Sequence, residues 1–135
     1  MTGAPSSPVG AVLRFIECIN RGDGAGLSEL MTDDHTLVVL DEEPLVGREA
    51  NVEAWRGYFT SFPSYVITPR HVAENGATVA VLGSTTGSHL GLPDVEELEL
   101  GVIWVAEVVD GRLARWCVAE DTPARRGEHD IPVDA

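Results

Sequence analysis

Apolar residues recur at helical spacing near the start of the chain: Val9, Val12, Leu13, Ile16 and Ile19, with Arg14, Glu17, Asn20 and Arg21 elsewhere. That period predicts an amphipathic helix over 9–20, ended by Gly22. Asp23 is placed to cap a second, short helix carrying Leu27, Leu30 and Met31, which Asp33-Asp34 breaks. The string HTLVVL over 35–40 is β-branched and apolar and predicts a strand, with His35 at the turn beside the two aspartates. Asp41-Glu42-Glu43-Pro44 turns the chain. A third helix then carries Val52, Trp55, Phe59 and Phe62 on one stripe and stops at Pro63.

Beyond Pro63 the pattern changes to strands. Strands are predicted over 65–74, 78–89, 97–109 and 112–120. Asn75-Gly76 and Asp110-Gly111 are hairpin signals, and Gly91-Leu92-Pro93-Asp94 is a turn. Helices gather early and strands late, which predicts an α+β domain with an antiparallel sheet rather than alternating βαβ units. The organisation read from this pattern is a flexible lead-in over 1–8, one domain over 9–122 and a polar tail over 123–135. The tail is expected to be disordered or to lie as an arm over a partner subunit.

Length and charge narrow the function. The 135 residues suffice for one domain with a single core. Twenty-two acidic residues stand against nine basic ones, all arginine, for a net charge of −13. Phosphate backbones and anionic lipid need cationic neutralisation, so neither nucleic acid nor membrane is expected as a partner. No apolar run approaches the ~20 residues that span a bilayer. Met1–Pro8 has neither a basic residue nor an apolar segment, so the expected compartment is the cytoplasm. Cys18 and Cys117 have no metal-ligand spacing, and the four histidines are scattered, so no metal and no cofactor is expected.

Several local strings, taken with the element order, resemble the nuclear transport factor 2-like superfamily and its SnoaL-like domains. They are Phe15-Ile16-Glu17-Cys18-Ile19-Asn20-Arg21-Gly22-Asp23, Leu30-Met31-Thr32-Asp33-Asp34-His35, Val46-Gly47-Arg48-Glu49-Ala50, Trp55-Arg56-Gly57-Tyr58-Phe59, Asp110-Gly111-Arg112-Leu113 and Trp116-Cys117-Val118-Ala119-Glu120-Asp121. The resemblance spans 9–122. It implies a cone-shaped, curved antiparallel (mixed) sheet packed on three N-terminal helices, cystatin-like in outline, with a pocket for a small apolar molecule inside. It also implies a homodimer through the outer sheet face.

Strand parity then selects the candidates, because alternate side chains share a face. Leu98, Leu100, Val102, Trp104, Ala106 and Val108 form the expected inner face of the 97–109 strand. Leu37, Val39, Trp55, Tyr58, Phe59, Thr85, Trp104, Trp116 and Val118 are the expected ligand-binding residues. The resemblance places the tyrosine and acids of ketosteroid isomerases on Phe15, Val39 and near Trp104. It places the carboxylates and arginine of limonene epoxide hydrolases on Val118, Thr85 and Gly83, and that enzyme's Tyr and Asn on Leu37 and Val39. Neither catalytic set is present. Asp41, His89 and Glu120 remain as candidates for proton transfer at the pocket mouth. Asp121 is expected to cap its strand end or to pair with Arg125 or Arg126.

Three functions stay open at this level. One is a cofactor-free acid–base enzyme (isomerase, cyclase or hydrolase) on a polyketide- or terpenoid-like compound. The second is a non-catalytic small-molecule binder. The third is a dimeric association module with an incidental cavity, because fold alone does not decide function.

Overall fold

In the computed structural model, residues 7–135 are described, and most of the lead-in (1–6) lies outside them. Helix α1 spans Pro8–Arg21 and α2 spans Gly24–Glu29. Strand β1 follows at Met31–Val39, then β2 at Leu45–Val46 and α3 at Arg48–Ser61. Strands β3 (Val66–Asn75) and β4 (Thr78–Thr86) precede the single turn of α4, Asp94–Glu97. Strands β5 (Val102–Val109) and β6 (Arg112–Glu120) and helix α5 (Pro123–Glu128) complete the chain.

Local chemistry accounts for the boundaries. Ser7 caps α1 by accepting the Gly10 N–H at 3.0 Å, Pro8 takes the first turn, and Gly22 closes the helix in the left-handed region. Asp23 caps α2 through the Gly26 N–H. Asn20 pegs α1 to the sheet: its amide donates to the Ile67 carbonyl at 2.9 Å and accepts the Ile67 N–H at 2.8 Å. Asn51 ties α3 down by donating to the carbonyls of His35, Leu45 and Gly47.

The sheet order is β2-β1-β6-β5-β4-β3. All neighbours are antiparallel except β1 and β6, so the sheet is mixed. Its inner face is built in rows. Val39, Val118, Trp104 and Val81 are successive partners across β1, β6, β5 and β4, and Leu37, Trp116, Ala106 and Val79 form the next row. The stripe of α1, namely Val12, Phe15, Ile16 and Ile19, packs against that face with Leu27 and Trp55. Burial of this apolar surface, at about 25 cal/mol per Å², is the main term holding helices to sheet.

Three expectations change. Residues 97–101 are not strand: the acidic turn 94–97 forms α4 and β5 begins at Val102. Leu98 and Leu100, expected inside, are therefore 43% and 46% exposed. Strand β4 ends at Thr86, so Ser88 and His89 lie in the connection to α4. Third, the tail is folded onto its own domain. Ile131, 4% exposed, packs against Ala80, Leu82 and Ile103 on the outer sheet face. Arg126 holds this strap with a paired contact to Asp121, at 2.7 and 2.9 Å, and with bonds to the carbonyls of Pro132, Val133 and Ala135.

Candidate functional site

Between the inner sheet face and α3 lies a cavity of about 200 Å³. Strand β1 contributes Leu37 and Val39, β5 contributes Trp104, and β6 contributes Trp116 and Val118. These five are the inward residues of the two rows, so strand parity alone aims them here. Helix α3 contributes Ala54, Trp55 and Tyr58, and Tyr65 enters from just ahead of β3. His89 and Ala54 are solvent-exposed, which marks the mouth.

The wall is aromatic and stacked. Trp104 and Trp116 lie near-parallel with centroids 6.4 Å apart, and Phe15 backs Trp116 at 4.9 Å. At the mouth Tyr58 meets Tyr65 edge-to-face at 4.9 Å and packs on Phe62 at 4.7 Å. Such contacts add to simple burial and hold the rings in place. The indole N–H groups of Trp55 and Trp116 are buried and find no hydrogen-bond partner among the described residues. A buried donor left unmade costs about 1–3 kcal/mol, and both nitrogens are sealed from open space, so neither donor faces the cavity directly.

The polar end is a pair. The Tyr58 hydroxyl accepts the His89 backbone N–H at 3.1 Å and lies 2.8 Å from His89 Nδ1. With a neutral ring, the hydroxyl donates to Nδ1 and the ring proton sits on Nε2. With an imidazolium, Nδ1 donates and the hydroxyl proton is free for another acceptor. Burial pushes the Tyr58 phenol above its ordinary range. The His89 N–H opposes this and the charge of Glu97 adds to it. Burial also raises the Tyr65 phenol, reinforced by Tyr58 and Glu97.

The remaining candidates sit apart from this cavity. Phe59 stacks on Trp55 with centroids 5.6 Å apart and covers Gly22, because one residue beyond Tyr58 the helix has rotated toward α1. Thr85 is buried, but its hydroxyl donates to Glu97 rather than facing the cavity. Asp41 is exposed in the turn that Leu40, in the left-handed region, opens after β1. Glu120 is exposed at the last position of β6, where the inward row has already left the cavity. Of the three proton-transfer candidates only His89 lines the cavity.

Parity reasoning missed Tyr65, Ala54 and, above all, Glu97. Glu97 is fully buried. Its carboxylate accepts the Thr85 hydroxyl and the Ser88 N–H, the latter at 3.4 Å. Burial works to raise its pKa, yet the bonds from Thr85 and Ser88 prevail and hold it below the ordinary carboxylate range. The available signal was Pro93-Asp94 followed by Glu96-Glu97, which reads as a helix start rather than a strand. Among the described residues no cluster of His, Cys, Asp and Glu could hold a metal ion, and no helix is long and apolar enough to cross a membrane.

A mixed curved sheet closed by helices over an aromatic cavity defines an α+β protein of the nuclear transport factor 2-like, cystatin-fold class. The SnoaL-like domain model matches residues 12–116, and the chain belongs to that family. A comparison with curated proteins found no match. Among solved structures it is similar to a cystatin-fold protein from Novosphingobium aromaticivorans, with 19% identity, TM-score 0.73 and coverage of 85% of this chain and 99% of the other. It is also similar to a putative SnoaL-like polyketide cyclase from Jannaschia sp. CCS1, with 20% identity, TM-score 0.70 and coverage of 96% and 99%. A third is an epoxide hydrolase from M. tuberculosis resembling limonene epoxide hydrolase, with 16% identity, TM-score 0.67 and coverage of 84% and 82%.

Proposed function

We propose that the chain binds a small, neutral, largely apolar molecule of about one ring bearing an oxygen acceptor, and handles a proton on it through His89 and Tyr58. The observation that carries this reading is an aromatic cavity whose mouth holds the Tyr58–His89 pair at 2.8 Å. The size supports a small ligand: ~150 Å³ of apolar cavity suffices for benzene, whereas drug-sized sites run from ~300 Å³. The lining contains no Arg, so a carboxylate or phosphate on the ligand would lose its hydration without a counter-charge. The Tyr58 hydroxyl, a donor at the mouth, favours a carbonyl or ether oxygen. Similarity to a putative polyketide cyclase and to an epoxide hydrolase is in keeping with a small-molecule site in this fold.

A non-catalytic binder is the second reading, favoured by the lack of any carboxylate in the lining. The chain has three tryptophans, and all three line the cavity, so their indole N–H resonances all report on it. Titration of the labelled protein with toluene and with cyclohexanone is expected to move them. Val118→Phe, which fills the cavity, should abolish both responses. Indole resonances that stay put with either probe would refute the binding role.

A further inference from the structure

We propose that Glu97, which does not line the cavity, is the positioning residue of the Tyr58–His89 pair, so that the mouth is a three-part assembly of α3, the 87–90 turn and α4. The inference rests on the reading of that pair as the polar end of the site. Its warrant is the placement of a fully buried acid where a surface helix turn would ordinarily carry a solvated one.

The turn that carries His89 is held from both sides. Glu97 takes the Ser88 N–H on one side, and the Tyr58 hydroxyl takes the His89 N–H on the other. Within the turn, Ser88 Oγ accepts the Leu90 N–H at 3.2 Å. Gly87 begins it at φ +70°, and a Cβ there would collide with the Ser64 carbonyl oxygen, so the backbone path leaves no room for a side chain. Two consecutive amides are thus committed, one to the acid and one to the phenol. The imidazole has little freedom to leave the mouth.

Charge gives the acid a second effect. Glu97 is the carboxylate that acts on Tyr58, Tyr65 and His89 together. A buried negative charge favours a proton staying on either phenol. Proton uptake at the mouth runs through the pair: the Tyr58 hydroxyl passes its proton to His89 Nδ1 as its oxygen takes one from the ligand, and Nδ1–H then donates back to the hydroxyl. No bond to Glu97 changes. This is a base held by a second group and oriented by a third. The groups facing the ring are Tyr58 from α3, Phe62 just beyond its end, and the charge of Glu97 from α4.

The test needs no ligand, so its outcome is separate from that of the probe titration above. The chain has only two tyrosines, and in a Tyr65→Phe background Tyr58 is the sole phenol. Its ionisation, followed by phenolate absorbance, is expected to move to lower pH when Glu97→Gln is added. A merely space-filling Glu97 would leave that titration unmoved, because the amide keeps the shape and loses only the charge. The second measurement uses the unaltered chain and is independent of whether the variant folds. Hydrogen exchange at the Ser88 and His89 amides should be slower than at the exposed amides of Asp41 and Glu43. Ser88 and His89 amides that exchange as freely as those, or an unshifted Tyr58 titration, would overturn the proposal.

Discussion

His35 is fully buried on β1, although its aspartate neighbours suggest a turn. Its Nδ1 lies 2.6 Å from the Leu113 carbonyl oxygen, so the neutral ring donates there and Nε2 has no partner among the described residues. Burial lowers its pKa, against a smaller opposing effect of the Leu113 bond and Asp34. The unfolded chain therefore binds a proton below about pH 6.5 that the folded chain refuses. Stability should fall as pH drops from about 6.5 toward the lowered folded value. Thermal melts at about pH 7.5 and about pH 5.5 should show this loss, and in His35→Gln the difference should shrink even if the variant is less stable overall. A variant with an undiminished pH difference would place the titration elsewhere. Asn51 is a second buried polar residue, with three carbonyls on its amide nitrogen. Asn51→Leu keeps the volume but strands those acceptors, and should cost about 1–3 kcal/mol by denaturant titration. Neither residue could be assigned from sequence, because a lone His or Asn has no periodicity. Trp104 and Trp116 could be assigned, since both fall on the apolar phase of their strands.

Among the elements, α1 and the inner rows were legible because a helical stripe and a two-residue alternation each repeat several times. The stretch 97–101 was misread because ELELG alternates like a strand, while the acidic turn after Pro93 starts a helix. Alternation cannot distinguish a strand from a short helix flanked by exposed leucines. The 87–90 turn has a sharper consequence. Gly87→Ala forces a positive φ on a residue with a Cβ and drives that Cβ into the Ser64 carbonyl. It should cost about 1–3 kcal/mol. Changes in indole and Tyr58 resonances should accompany the loss, since the same turn carries His89. At the opposite end, Ser7→Ala removes only the α1 cap and should cost about 1 kcal/mol, with the cavity resonances unmoved.

At the scale of the whole molecule, the strap over the outer sheet face governs what that face can meet. Ala80, Leu82 and Ile103 would form an apolar patch without Ile131 above them. Arg126 is the clasp: it reaches Asp121 at its base and three carbonyls near the end of the chain. Arg126→Ala, or removal of residues 123–135, is expected to raise self-association in sedimentation velocity as concentration rises. An unchanged distribution would show that the strap does not guard the face. A homodimer of the intact chain through this face would need the strap displaced or incorporated.

The succession of stripes and alternations determined by itself that three early helices pack on a late sheet, and which side chains look inward. Those properties follow from periods of the backbone, which each residue carries locally. Whether an inward residue meets a cavity, a neighbouring helix or a buried acid was decided only by the closed sheet. Its curvature and strand ends set which positions of a row still have space beside them. That is why Trp116 and Val118 reach the cavity while Glu120, on the same phase, reaches solvent, and why Glu97 could be placed beside His89 only once β4 and α4 had been brought together.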